Sequence, residues 1–326
     1  MKKYNLSKDY QFDIDASAYT SYAGKLALPY VTAAVKTPDT IANGYVRVID
    51  GLNKSGRITN VGMTDPVQSA SNCSFQDGSN SSLTEQVVTL TDMKVNEEIC
   101  RGTIFPTWIG ENMDRNGNLP GTFQDFLLQT IASKAASHIE NIIWKGSGDP
   151  ALVGFQSDDG SLDDTGINAS AMKSFHEVDF TAGAIDTSNV ITRLNDVLDK
   201  VNASTNIINA PGFGFYMNRK TYSIYAQALA SATTFQQLGS AGNFTSLTFM
   251  GFPIYVCPGM FNDTIVATYP ENLVVGTNLL TDYTEANVIP TFQYDGSDNV
   301  RVVMRFAMGV QTAVATDGVF GTNAHA

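Results

Sequence analysis

The sequence predicts an α+β protein in which helices and strands occur in separate blocks. Three observations predict this class: strand-like alternation over residues 45–100, one long helical period that begins near Thr122, and a second half that mixes both kinds of element. The chain has 326 residues, of which 43% are hydrophobic and 16% are charged. A chain of this length can bury a large core without disulfides or metals, so we expect one large or two modest domains.

The first hundred residues predict an arm followed by a long β excursion. Residues 1–44 show no sustained period, which predicts the arm. The segments YVRVIDG and RITNVGM alternate like the two strands of a hairpin, and LTEQVVTLTDMKV resumes the alternation after a polar stretch. The turn between the first two segments consists of Asn53, Lys54, Ser55 and Gly56. Residues 45–100 are too polar to form a core of their own, so they need other protein surface to become ordered.

One overlong helix dominates the middle of the chain. Thr122 can cap it, and Lys145 and Gly146 end it. About 23 residues at 1.5 Å each make a rod of about 35 Å, whereas a compact chain of this size has a gyration radius of about 20 Å. Its apolar residues recur at steps of three and four; they are Phe123, Phe126, Leu127, Ile131, Ala135, Ile139 and Ile142.

The second half predicts two helices and several strands. An amphipathic helix should run from Val190 to Val201 behind a Thr187-Ser188 cap, and Asn218 should cap a second helix that continues to Ala230. Strands are predicted at 213–217, 252–257, 271–277, 289–294 and 300–314. Residues 295–299 should form the turn between the last two strands.

Composition excludes several classes of protein. Twenty basic against 32 acidic residues give a net charge of −12, which argues against a protein that grips nucleic acid tightly. The residues after Met1 are polar, so no secretory signal is predicted, and no apolar run approaches the roughly 20 residues that cross a bilayer. A soluble, cytoplasmic chain with reduced thiols is expected, because Cys73, Cys100 and Cys257 match no zinc or redox spacing.

Catalytic motifs are also missing from the sequence. The three histidines, His138, His176 and His325, have no metal-ligand spacing, and no nucleophile elbow or phosphate-binding loop is present. We therefore predict no metal site, no cofactor and no enzyme activity. An acidic hydrolase with paired carboxylates stays open as an alternative, since any two of the 32 acidic residues could meet in space.

The chain resembles the major capsid proteins of tailed bacteriophages, whose fold is shared with encapsulins and the floor of herpesvirus capsids. The segment FQDFLLQTIASKAASHIENIIWKGSGDPALVGFQ (123–156) is similar to that family's spine helix and the turn that follows it. A second match is the run ENLVVGTNLLTDYTEANVIPTFQYDGSDNVRVVMRFAMGVQTAV near the C-terminus. The motif residues in the first match are Glu140, Gly146, Gly148, Pro150 and Gly154.

The resemblance implies a phage major capsid fold with five segments. These are an N-terminal arm (1–44), an extended β-hairpin loop (45–100), a peripheral domain with the spine helix (101–180), an axial domain (181–287) and return strands of the peripheral domain (288–326). It also implies that residues 53–56 contact neighbouring subunits. In some relatives a loop lysine forms a covalent crosslink, and Lys54 is the candidate for such a lysine in this chain. The spacing of Cys73 and Cys100 is reminiscent of some phage capsid proteins.

The function implied is that of a major head protein. Copies would assemble as pentamers and hexamers into an icosahedral shell around double-stranded DNA, which the acidic chain would touch only weakly. Portal, scaffolding and decoration proteins would be partners, no membrane would be involved, and the protein would be found in the virion after assembly in the host cytoplasm. An encapsulin-like compartment that packages cargo enzymes is the alternative within the same fold.

Overall fold

The computed structural model describes residues 20–23, 38–63, 81–100, 121–148, 151–156, 171–180, 183–204, 207–231, 247–278, 285–291, 294, 296–297 and 299–322. The helices in these ranges are α1 (Asp39–Ala42), α2 (Gly121–Lys145), α3 (Val190–Ser204) and α4 (Arg219–Ser231). The first eight strands are β1 (Thr20–Ala23), β2 (Arg47–Ile49), β3 (Ser55–Met63), β4 (Ser81–Thr89), β5 (Thr91–Cys100), β6 (Ser147–Gly148), β7 (Ala151–Leu152) and β8 (His176–Asp179). The others are β9 (Gly214–Met217), β10 (Thr248–Phe249), β11 (Phe252–Val256), β12 (Ile265–Thr268), β13 (Leu273–Thr277), β14 (Glu285–Pro290), β15 (Asn299–Thr312) and β16 (Val319–Thr322). The predicted α+β class is confirmed.

The predicted long helix is α2, and it has 25 residues. At 1.5 Å per residue it is about 37 Å long. One face of the helix is buried at steps of three and four residues, because this face packs on the largest of three hydrophobic cores. Among the described side chains of the helix, the buried hydrophobic ones are Leu128, Ile131, Ala132, Ala136, Ile139, Ile142, Ile143 and Trp144, and Glu140 is buried with them. The helix ends where Gly146 adopts a positive φ of 72° and its N–H donates to the Ile142 carbonyl at 2.8 Å.

The first sheet is built around β15, and its main order is β1-β14-β15-β13-β2. One edge of β15 pairs with β14 and then with β13, while the other edge pairs with β5 along ten residues. The prediction that YVRVIDG and RITNVGM form one hairpin is wrong. β2 instead pairs in parallel with β13, and β3 pairs with β4. A parallel partner more than 200 residues away leaves no local signal in the sequence.

The central strands of the second sheet, β9, β12 and β16, are buried on both faces. The order of this sheet is β10-β11-β9-β12-β16-β8, and α3 packs on β8, β12 and β16. Alternate residues of each central strand point into different cores because side chains in a strand alternate between faces. In β9, Tyr216 belongs to the core around α2, whereas Phe215 and Met217 belong to the core around α3 and α4. The second sheet is therefore a shared layer between the two cores.

Helices α3 and α4 each begin beside a side chain that accepts hydrogen bonds from the N–H groups of the first turn. The Asn218 Oδ1 accepts the N–H of Lys220 at 2.9 Å, so the predicted cap of α4 is confirmed. The side chain that caps α3 is Asp186 instead of the predicted Thr187-Ser188 pair. Its carboxylate accepts the N–H groups of Ser188 and Asn189, and the hydrogen bonds from Ser188 lower the pKa of this carboxyl group.

Other strand predictions have mixed outcomes. The strand predicted at 289–294 ends at Pro290 and lies at Glu285–Pro290 instead, since proline lacks the N–H that the ladder needs. Strands β8, β12 and β16 were not predicted. The chain reverses between β14 and β15, with the Thr291 N–H donating to the Asn299 carbonyl and Gly296 at a φ of 69°. The turn predicted at 295–299 ends one residue too late, because Asn299 is the first residue of β15, and its residues 295 and 298 lie outside the described residues.

The predicted domain limits stay a prediction. β13 falls in the segment predicted as axial and lies in the first sheet, whereas β8 and β16 fall in the segments predicted as peripheral and lie in the second sheet. Most of the predicted arm, Cys73, Pro150 and His325 lie outside the described residues. In the described part of the chain, no helix has the length and hydropathy needed to cross a bilayer.

Candidate functional site

One face of the β3–β4 hairpin carries exposed apolar side chains among polar ones. The strands pair from Ser55↔Thr89 to Met63↔Ser81 and form a two-stranded sheet of their own. Because side chains alternate between the two faces, odd-numbered residues of both strands share one face. That face exposes 53% of Val61, 64% of Leu83 and 46% of Val87. Val61 and Leu83 are direct cross-strand partners, so their side chains form one apolar patch. The exposed Arg57–Glu85 ion pair, at 3.4 Å on the same face, lies between this patch and Val87. We call this the open face of the hairpin.

The base of the hairpin is anchored by the opposite face. Val88 and Leu90 are buried against Val274 of β13 and Ala307 of β15, in a small core of their own. The Gln311 side-chain amide also donates to the Val87 carbonyl at 3.5 Å. The hairpin is thus fixed to the first sheet at residues 87–90, while its nine-residue strands continue away from this anchor for about 30 Å.

Residues 53–56 lie at this base and not at a turn between the predicted strands. The Lys54 carbonyl accepts the Leu90 N–H at 2.9 Å, which places it beside the end of β4. Ser55 and Gly56 are the first residues of β3, and Asn53 and Lys54 are exposed. The predicted assembly role of these four residues therefore stays a prediction, whereas their placement in a turn between strands 45–51 and 57–63 is corrected.

Glu140 is a buried carboxylate on α2 that ties three parts of the chain together. Its Oε2 accepts the Thr40 N–H at 3.0 Å, and its Oε1 accepts the Thr40 hydroxyl at 2.5 Å. The Gly259 N–H donates to the same Oε1 at 3.4 Å. The Trp144 indole N–H in turn donates to the Thr40 hydroxyl oxygen at 2.9 Å. A buried carboxylate needs such donors because burial without them is costly.

The segment after α2 folds back to satisfy the end of the helix. The N–H groups of Phe155 and Gln156 donate to the carbonyls of Ile143 and Trp144 at 2.9 and 2.7 Å. These carbonyls have no partner within the helix, so the returning chain acts as its cap. Gly148 lies in the two-residue strand β6, which pairs with β7 and reverses the chain. A Cβ at Gly154 would lie 2.3 Å from the Gly146 nitrogen, so only glycine fits there.

A stack of aromatic rings joins this helix end to the second sheet. Trp144 lies 5.4 Å from Phe155 and 6.1 Å from Tyr216 between ring centroids. Tyr216 continues to Tyr255 at 4.7 Å, and its hydroxyl donates to the Tyr45 carbonyl at 2.9 Å. These contacts place the residues after α1, the long helix and the second sheet in one connected interior.

Side chains that commonly bind metals are dispersed in the described part of the chain. The described residues contain no group of three or more His, Cys, Asp and Glu side chains that could hold a metal ion. His138 is exposed on α2, and His176 is partly buried in β8. One cavity of about 410 Å³ lies between β4 and the segment after β7; its lining includes Lys173 and no carboxylate. The Cys257 thiol is fully buried, and burial raises its pKa well above its usual value, which keeps it protonated.

Comparisons with known proteins match the fold and not the sequence. No family model and no curated protein matches the chain. Among solved structures, the capsid of the native GTA particle aligns with a TM-score of 0.57 and 15% identity, covering 89% of each chain. The satellite phage P4 procapsid aligns with a TM-score of 0.53 and 13% identity, over 91% of this chain and 97% of that one. This chain has the phage capsid fold.

A third neighbour extends the same comparison. The capsid of Myoviridae phage XM1 aligns with a TM-score of 0.52 and 13% identity, covering 87% of this chain and 91% of that chain. The predicted resemblance to tailed-phage major capsid proteins is therefore confirmed as a phage capsid fold. At identities this low, the role of individual residues must be argued from this chain itself.

Sequence analysis identified some residues of these sites and missed others. It named Glu140, Gly146 and Gly154, and the structure brings all three together at or near the end of α2. It missed Thr40 and Gly259, which contact Glu140 from positions 100 and 119 residues away in the chain. It also missed the open face, although a signal was available: LTEQVVT places apolar residues at both odd and even positions, so one set must face away from any single core.

Proposed function

We propose that this protein is a major capsid protein whose copies assemble as pentamers and hexamers into an icosahedral shell. The observation that carries the proposal is the open face of the β3–β4 hairpin in a chain with the phage capsid fold. An isolated two-stranded hairpin is marginally stable in water. A neighbouring copy that covers Val61, Leu83 and Val87 would stabilise the hairpin by about 1 kcal/mol per side chain, and such contacts would sum over the whole shell.

The proposed cargo of the shell is double-stranded DNA. A net charge of −12 suits a container that confines DNA without binding it tightly, because strong attraction would oppose both packing and release. The proposed role is structural and requires no catalytic residue. Portal, scaffolding and decoration proteins are the partners that such a shell would need. The mature protein would be located in the virion, after assembly in the cytoplasm of the host.

The test is to express the chain and measure the size and content of what it forms. Size-exclusion chromatography with negative-stain electron microscopy should show closed shells far larger than the 35.1 kDa subunit. A solitary monomer under all conditions, also with a co-expressed scaffolding protein, would contradict the proposal. Shells isolated from the natural source should contain DNA. Shells that instead contain a packaged enzyme would show an encapsulin-like compartment.

A further inference from the structure

We draw no further inference here: the strongest candidate, the cavity of about 410 Å³ between β4 and the segment after β7, where the exposed side chains of Val87 and Val153 lie, carries none, because it is an unpartnered surface and nothing in the structure shows what covers it.

Discussion

The buried carboxylate of Glu140 accepts three hydrogen bonds, which join Thr40 and Gly259 to α2. The Glu140→Gln substitution replaces one accepting oxygen with an NH₂ group, which would face either the N–H of Thr40 or both the Thr40 hydroxyl and the Gly259 N–H. We expect the free energy of unfolding to fall by about 2 kcal/mol, because a buried donor loses its partner. Urea denaturation of the unassembled subunit measures this change.

The control for this substitution is Glu177→Gln in β8, where the carboxylate is exposed. The control should change the free energy of unfolding by less than about 0.5 kcal/mol. Equal effects at the two positions would show that the hydrogen bonds of Glu140 contribute little to stability.

At Gly154, neighbouring backbone atoms leave no room for a side chain. The Gly154→Ala substitution would place a methyl group 2.3 Å from the Gly146 nitrogen and 2.6 Å from the Trp144 carbonyl oxygen. Since both are backbone atoms of the helix end, the returning chain would have to shift, and we expect a loss of about 3 kcal/mol in a denaturation experiment. Gly296→Ala is the control. It has a positive φ but open space around it, so its loss should be about 1 kcal/mol.

Thiol reactivity reports on the packing around Cys257. In a Cys73→Ser variant of the unassembled subunit, Cys100 is exposed, whereas Cys257 is buried with a raised pKa. A thiol reagent at pH 8 should therefore label one site per native chain and two per unfolded chain. Rapid labelling of two sites in the native chain would contradict the buried position of Cys257.

At the scale of the elements, a substitution in the β3–β4 hairpin should distinguish effects on assembly from effects on folding. Leu83→Asp adds a charge to the open face, where the side chain is 64% exposed, so the stability of the unassembled subunit should change by less than about 0.5 kcal/mol. Particle yield should nevertheless fall at least ten-fold, because a charge buried against a neighbour without a partner is costly. Melting curves and electron microscopy of the same preparation measure both effects.

Val88→Asp provides the opposite case on the same strand. Val88 is fully buried at the anchored base of the hairpin, so this substitution should destabilise the subunit before assembly begins. If Leu83→Asp destabilised the isolated subunit as strongly as Val88→Asp, the open face would have to pack within its own chain.

Elements with local, periodic signals were the ones that the sequence predicted well. The apolar spacing of α2 and the Asn218 cap of α4 are read from neighbouring residues, and both are confirmed. Strands β12 (IVAT) and β16 (VFGT) were missed, because every residue of each is buried and no alternation marks them. The pairing of β2 with β13 was missed because its partner is distant in sequence. At the site, Glu140 was identified from its motif. Its hydrogen-bond donors, Thr40 and Gly259, were missed because they lie in remote segments of the chain.

The whole molecule should unfold as one unit despite its two large cores. The central strands of the second sheet send Tyr216, Val266 and Phe320 into one core and Phe215 and Ile265 into the other. Loss of either core would expose one face of this shared layer. We therefore expect a single calorimetric transition for the unassembled subunit, with equal calorimetric and van't Hoff enthalpies.

Two core variants test this coupling. Ile143→Ala lies in the core around α2, and Ile265→Ala lies in the core around α3 and α4. Each should cost about 3 kcal/mol and lower the one melting temperature by about 5 °C. Two separate transitions, with each variant shifting only its own, would show that the cores unfold independently.

The parallel pairing of β8 with β16 has a consequence for synthesis on the ribosome. β8 begins at His176 and its partner at Val319, so about 140 residues must be translated after β8 before that edge of the sheet can close. At about 5–20 residues per second, the nascent chain waits about 7–28 s with β8 unpaired. The second sheet of a nascent chain is therefore complete only when translation has nearly finished.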